Sequence, residues 1–319
     1  MTTRLSFRWV LTISVLFVAL LSLVAIQNAR AQEAESVTLS LSPQIINVSA
    51  NPGEEPITNV VRLTNGGALP LEIETIPKNI LPSGEEGAVD LTEDQTSYSL
   101  AEWITVSPDK TSIAPGQTVD FDVTIAVPSN GEPGGHFGTV VFKTVPPETD
   151  AGAAAALVSQ EIAPVILVSV AGDIEENLNI ASFEPSKSFW SNEKPITFIT
   201  RVGNEGSVHL KPTGTITIKN MFGGEVTTIP LEEKNVLPES IRRIETEWSD
   251  PGFAVGRYTA DLSLVYGEED NILTASTTFT VFPWQTLIPV GLVAIAVLYI
   301  LVKFRSRIGS AVRVLAGKN

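Results

Sequence analysis

Two histidines, no cysteines and a scatter of paired acids are all that this chain offers for chemistry. Without thiols it can build no thiolate metal site, no cysteine nucleophile and no disulfide, and two imidazoles are too few for a His-rich metal cluster. His136 stands in Glu132-Pro133-Gly134-Gly135-His136-Phe137-Gly138. A polar tip among glycines suits close approach of another backbone, as at a ligand edge, and equally suits a tight turn entering a strand. It lacks the helix-opening context of a phosphate loop. His209 and Lys211, in Ser207-Val208-His209-Leu210-Lys211-Pro212, fall just beyond a strand end, where a partner could be read. Acid pairs at Glu54-Glu55, Glu85-Glu86, Glu175-Glu176, Glu232-Glu233 and Glu268-Glu269-Asp270 carry the oxygen ligands that Ca2+ prefers, but without EF-hand spacing, so they read as solvated loops. No nucleophile elbow, HExxH or pair of facing carboxylates appears. The expectation is a binding protein rather than an enzyme, with no cofactor and no metal site. Its candidate partner-binding residues are Pro133, Gly134, Gly135, His136, Phe137, His209 and Lys211.

The elements that must position these residues begin with the two ends of the chain. Arg4 and Arg8 precede the apolar run WVLTISVLFVALLSLVAI, and Ala29-Arg30-Ala31 supplies a small-x-small cleavage pattern, so residues 1–31 read as a secretory signal peptide. The run is longer than an ordinary signal core, which leaves an uncleaved anchor open; either way residue 32 emerges outside. Near the other end Thr286 to Val302 carries no charge, and at ~1.5 Å per residue it spans roughly 26 Å, enough to cross a thin hydrocarbon core. Trp284 and Tyr299 suit interfacial positions, and the basic tail 303–319 suits the cytoplasmic side. The expected topology is a single-pass cell-membrane protein with a transmembrane helix at 284–302 and its N-terminal ectodomain outside. The net charge of -15 conceals a division, because the stretch between these ends holds all 36 acidic residues and only 13 of the 21 basic ones. Such a surface repels nucleic-acid phosphates.

Within the exterior part the apolar residues recur with period two, punctuated by Pro, Gly and Asn. Val119, Phe121, Val123, Ile125 and Val127 fall on one face of a strand, with Asp120 and Asp122 on the other. About seven strands are expected in 32–172, near 37–48, 57–65, 69–76, 103–106, 117–127, 137–145 and 157–170. About seven more are expected in 178–282, near 178–183, 195–204, 213–219, 225–231, 240–248, 256–266 and 272–282. Seven strands per domain predicts an all-β chain of two immunoglobulin-like sandwiches in tandem. The segment 146–156 lacks bulky residues and reads as a loop, and the short acidic joint 171–177 predicts end-to-end domains with little freedom. Asn65-Gly66-Gly67 and Asn204-Glu205-Gly206 follow equivalent second strands, which hints at a duplicated sandwich.

The order Pro52-Gly53, VVRLTN, Trp103, Ile113-Ala114-Pro115-Gly116-Gln117-Thr118 and the Pro133-Gly134-Gly135 entry to GTVVF resembles the first domain of the WxL-interacting surface protein family. Asn204-Glu205-Gly206, His209-Leu210-Lys211-Pro212, Gly256-Arg257-Tyr258 and Phe282-Pro283-Trp284 look like its second domain. The resemblance implies a peptidoglycan-binding sandwich, a host-binding sandwich, one membrane helix and a basic tail. It further implies a membrane-anchored surface binding or scaffolding protein whose partners are cell-envelope polymer or extracellular surface proteins. The alternative is a membrane-tethered assembly chaperone acting by strand addition, because the first domain is also similar to pilus-chaperone sandwiches that lend an edge strand. Those chaperones hold a client carboxylate on basic residues in a cleft, and here only Arg62 lies in an early strand of the first domain.

Overall fold

Alternating burial runs along the strands as the period-two pattern predicts. In the computed structural model, which describes residues 38–145, 159–191 and 193–303, Phe121, Val123 and Ile125 are buried while Asp120 and Asp122 face solvent. The expected signal peptide, the whole of the expected 146–156 loop and the tail from 304 onward lie outside the described residues.

Eleven strands build the first sandwich: β1 (Leu39–Ser42), β2 (Ile45–Ala50), β3 (Ile57–Asn65), β4 (Leu71–Ser83), β5 (Ala88–Thr92), β6 (Ile104–Ser107), β7 (Lys110–Ile113), β8 (Thr118–Ile125), β9 (Gly134–Val145), β10 (Glu161–Ile162) and β11 (Val165–Val170). One sheet runs β1-β3-β8-β6, and the other runs β2-β11-β9-β4-β5 with β7 added to β4 and β10 to β9. The expected first strand is two strands, because Pro43 cannot donate to a ladder and the chain crosses there from one sheet to the other. β6 and β7 make the same crossing at Pro108. Val61, Leu63, Phe121, Phe142 and Ile166 fill the space between the sheets. Phe121 meets Phe142 edge to face with centroids 4.9 Å apart, an arrangement that adds about 0.5–1.5 kcal/mol to the burial itself.

The second sandwich comprises β12 (Leu178–Pro185), β13 (Phe189–Trp190), β14 (Ile196–Asn204), β15 (Thr213–Asn220), β16 (Glu225–Pro230), β17 (Ser240–Trp248), β18 (Gly256–Tyr266) and β19 (Asn271–Val281). Its sheets run β12-β14-β17 and β13-β19-β18-β15-β16. Phe198, Trp248, Tyr258 and Phe279 form its aromatic centre, with Phe279 5.3 Å from Phe198 and 5.6 Å from Tyr258. After two residues the chain enters α1 (Trp284–Lys303), none of whose residues is buried. Its mean hydropathy of 2.3 over a membrane-length window makes it a candidate membrane span.

The two asparagines that hinted at duplication are equivalent in structure. Asn65 is fully buried, donates from Nδ2 to the carbonyls of Leu69 and Ile113, and accepts from Gly67 N. Asn204 is buried, donates to the carbonyls of Val208 and Val236, and accepts from Gly206 N. Each side chain thus ties a second strand, the turn after it and a distant segment together, supplying groups that the buried backbone would otherwise lack.

Candidate functional site

The glycine-rich entry and the His209 loop, picked out separately in two domains, meet. β9 starts at Gly134 and leads the first domain's sheet against the turn that follows β14. Gly135 N donates to Ser207 O at 2.8 Å, and the rings of Phe137 and His209 pack edge to face with centroids 5.7 Å apart. The glycines are what allow this approach. A Cβ on Gly134, whose φ is +122°, would fall 2.8 Å from Ser207 O, and one on Gly135 would fall 2.5 Å from Phe137 Cζ. The backbone that comes close to this segment belongs to the neighbouring domain.

The candidate residues are consequently not an exposed rim. Gly134, Gly135, His136 and Phe137 are buried, His209 is half-buried, and Pro133 and Lys211 are exposed. His136 lies against Trp103, with Nδ1 3.1 Å from Ser99 O and Nε2 2.9 Å from Glu132 O, so its polar atoms are used inside the first domain. His209 has no hydrogen-bond partner for its buried Nδ1 among the described residues, and burial pushes its imidazole down to about 4. Pro133 packs at Gly172 in the acidic joint. Lys211 turns away and pairs with Glu233 at 2.7 Å. A partner could reach Phe137 only by separating the domains.

Around this contact the domains are joined by an apolar centre and an ionic flank. Ile80, Phe137 and Leu167 of the first domain bury Leu237 of the second in one cluster, with Tyr98 stacked on Phe137 at 5.8 Å. The Tyr98 hydroxyl donates to Glu239 at 3.2 Å; burial, and then the Glu239 charge, raise its pKa. The flank is the β4–β5 hairpin, whose tip reaches the edge strand β17. Glu85 O accepts from Arg243 N at 2.8 Å, its carboxylate takes Arg201 Nε at 2.7 Å, and Glu86 takes Arg243 Nη1 at 2.6 Å. The Arg243 hydrogen bond lowers the Glu86 pKa. Gly87 has φ +83°, and a Cβ there would lie 1.0 Å from Arg242 Nη1, so this arginine occupies the space a side chain would need.

Glu85 and Glu86 lie in the hairpin turn, in keeping with the loop expected there, and in addition pair with arginines 116 and 157 positions along the chain. The sequence contains one usable signal, the adjacent Arg242 and Arg243 in a predicted strand, which must point to opposite faces. Among the basic residues of the first domain, Arg62 is exposed and pairs with Asp120 on the outer face of its sheet. The acidic pair at the joint takes a structural part as well, with Glu176 accepting from Glu268 N at 2.9 Å. Among the described residues no group of three His, Cys, Asp or Glu is placed to hold a metal ion.

The hairpin clamp gives a direct expectation. Gly87→Val must expel the Arg242 guanidinium and strain a left-handed residue. We expect the Arg243 amide to exchange with solvent about fivefold faster, as the loss of one hydrogen bond of ~1 kcal/mol implies, while the Thr259 amide within β18 keeps its rate. An unchanged Arg243 rate would show that the hairpin does not hold the domains.

No protein-family model and no curated protein matches the chain. Among solved structures the chain is similar to the class 5 fimbriae chaperone CfaA, at 15% identity over 75% of this chain and 99% of that one, with a TM-score of 0.40. It is also similar to the Escherichia coli chaperone DraB, at 14% identity over 76% and 97% with a TM-score of 0.34. A structure of the Salmonella enterica SafA pilin in complex with the SafB chaperone aligns at 13% identity over 77% and 97%, with a TM-score of 0.37.

Proposed function

We propose that the chain is a membrane-anchored surface protein that captures a partner polypeptide by adding it as a strand to the first sandwich at β2. The observation that carries this reading is the character of that edge. Among the described residues β2 lies at the end of its sheet, paired only with β11, and its six residues IINVSA contain no charge, proline or bulge. Native edges are usually protected by such features. Most other edges have them: β5 carries Asp90, β7 carries Lys110, β16 carries Glu225 and Pro230, and β12 carries a bulge with Glu184 and Pro185, whereas β19, paired with β13 only at Thr280 and Val281, leaves a second uncharged edge over 271–279. β17 is covered by the Glu85 hairpin, and β1 and β6 have four residues each.

The ladder fixes which groups are on offer. Gln44 O and Ala50 O accept from Val165 N and Ala171 N, so the even-numbered residues of β2 bond inward to β11. By alternation Ile45, Asn47 and Ser49 direct their N–H and C=O outward, and they are the exposed residues of the strand. An added strand would therefore find three residues of unpaired backbone and the exposed Ile45 side chain. The cavities described here, about 240 and 310 Å³, are open to solvent at the domain ends, so an extended edge suits a polypeptide better than they suit a small ligand.

Asn47→Pro tests the reading, because it removes an outward N–H and leaves the β11 ladder intact. A photo-crosslinking residue at Ile45 in the full-length protein on producing cells should yield a polypeptide adduct, and Asn47→Pro should reduce it at least tenfold with less than about 1 kcal/mol change in stability. Adducts that carry glycan instead would favour the envelope-polymer contact implied by the WxL-type resemblance and sink strand addition. The tethered-chaperone reading uses the same edge. An adduct yield that falls as irradiation is delayed after a pulse of synthesis would favour it, and a constant yield would favour the scaffold.

A further inference from the structure

One end of the second sandwich carries most of its exposed large apolar residues, and it is the end from which α1 departs. The pairings Gly256↔Val281, Tyr258↔Asn220, Trp190↔Val281 and Ile196↔Trp248 bring the β15–β16 turn, the β17–β18 connection and β13 to the C-terminal end of β19. On these segments Phe222 is 88% exposed and Phe253 72%, with Met221, Phe189, Val255 and Phe282 also exposed. In soluble surroundings, contiguous apolar exposure of this kind marks a face that another phase covers.

We infer that this end is seated in the headgroup layer of the bilayer, with Phe222 and Phe253 as interfacial anchors beside the span. The inference rests on reading α1 as a membrane span, and its geometry then leaves little choice. α1 has 20 residues, and at ~1.5 Å each their ~30 Å matches the hydrocarbon thickness, leaving no helical turn to hold the domain away. Only Phe282 and Pro283 separate β19 from α1, a reach of at most about 7 Å, comparable with the headgroup layer itself. The link is also ordered. Phe282 N donates to Trp190 O at 2.8 Å, continuing the sheet, and Leu287 N donates to Pro283 O at 3.0 Å, starting the helix. Thr286 in the first helical turn lines the same cavity as Pro251 and Phe253. Aromatic side chains favour this layer, whose amphipathic character suits rings beside charged groups. Of the cations here, Lys187 and Lys194 pair with Glu193 and Asp250, while the exposed Arg257 donates to Thr278 and adds a charge that anionic headgroups favour.

Because the chain has no cysteine, single labels are unambiguous. Full-length Phe222→Cys, Phe253→Cys, Ile272→Cys and Val293→Cys would each be spin-labelled and placed in nanodiscs of equal parts phosphatidylcholine and phosphatidylglycerol. Collisions with oxygen and with a water-soluble nickel chelate report depth. Ile272 is exposed at the far end of β19, and Val293 is mid-helix. Labels at 222 and 253 should show an oxygen-to-nickel ratio several-fold above that at 272 and below that at 293. Water-like ratios at 222 and 253 with a lipid ratio at 293 would overturn the docking alone, and shielding of both from either collider would mean a protein covers the face and would overturn it too. A water-like ratio at 293 would overturn the span and the docking together.

Discussion

Acidification from pH 7 to pH 4 should cost the folded chain about 3 kcal/mol through His209 alone, and a His209→Phe variant should be spared that loss. The imidazole is held down to about 4 by burial, against an ordinary value near 6.5. The unfolded chain therefore takes up the proton first. This contribution is complete above about pH 6.5, is lost as pH falls from there to about 4, and changes no further below. Phenylalanine keeps the edge-to-face contact with Phe137 and removes an Nδ1 that has no partner among the described residues, so it should leave stability at pH 7 within about 1 kcal/mol. Carboxylates such as Glu86 titrate lower, because Arg243 holds that group below the usual range. Urea titrations of wild type and variant at several pH values would separate them. Parallel curves between pH 6.5 and 4 would mean that the imidazole is not buried at the joint in solution.

A second large loss is expected at the repeated asparagine. Asn204→Ala leaves the Val208 carbonyl without a donor and Gly206 N without an acceptor, and leaves the Val236 carbonyl with Leu210 N alone. At ~1–3 kcal/mol for each unsatisfied buried group, and with partial relaxation, the second sandwich should lose roughly 2–4 kcal/mol. Asn204→Asp should be at least as damaging, since it sets a carboxylate oxygen against two carbonyls. Asn65→Ala should do the same to the first sandwich, slightly less because its Leu69 contact is only partly buried. Denaturant curves that put Asp above Ala would show that the side chain works by filling space rather than by bonding.

Much of the fold could be read from period and punctuation. The strands predicted at 57–65, 117–127, 195–204, 213–219, 240–248 and 256–266 coincide with β3, β8, β14, β15, β17 and β18 to within two residues. What escaped were segments where a breaker sits inside a ladder. Pro77, Pro82 and Gly84 made the second half of β4 and its hairpin with β5 read as loop, yet β4 is the longest strand and continues past its neighbours as the arm that reaches the second domain. The site was legible only as parts. Gly134-Gly135 announced a close approach, and the apolar Val208 and Leu210 flanking His209 could have announced its burial. That the approaching backbone was Ser207, or that Glu85 and Glu86 answer Arg201 and Arg243, depends on how two sandwiches dock. No local pattern encodes that.

The route by which the chain is tethered also decides how it bears load. α1 leaves from the end of β19, and the joint to the first domain lies at the other end, where Glu176 meets Glu268 and Asn204 begins the turn to Ser207. A pull between a captured partner and the membrane therefore runs along the strands of the second sandwich. β19 is paired with β18 from Asn271↔Tyr266 to Val281↔Gly256, and antiparallel hydrogen bonds lie across that direction. Tension applied through α1 is shared by the whole ladder in shear instead of opening one bond at a time.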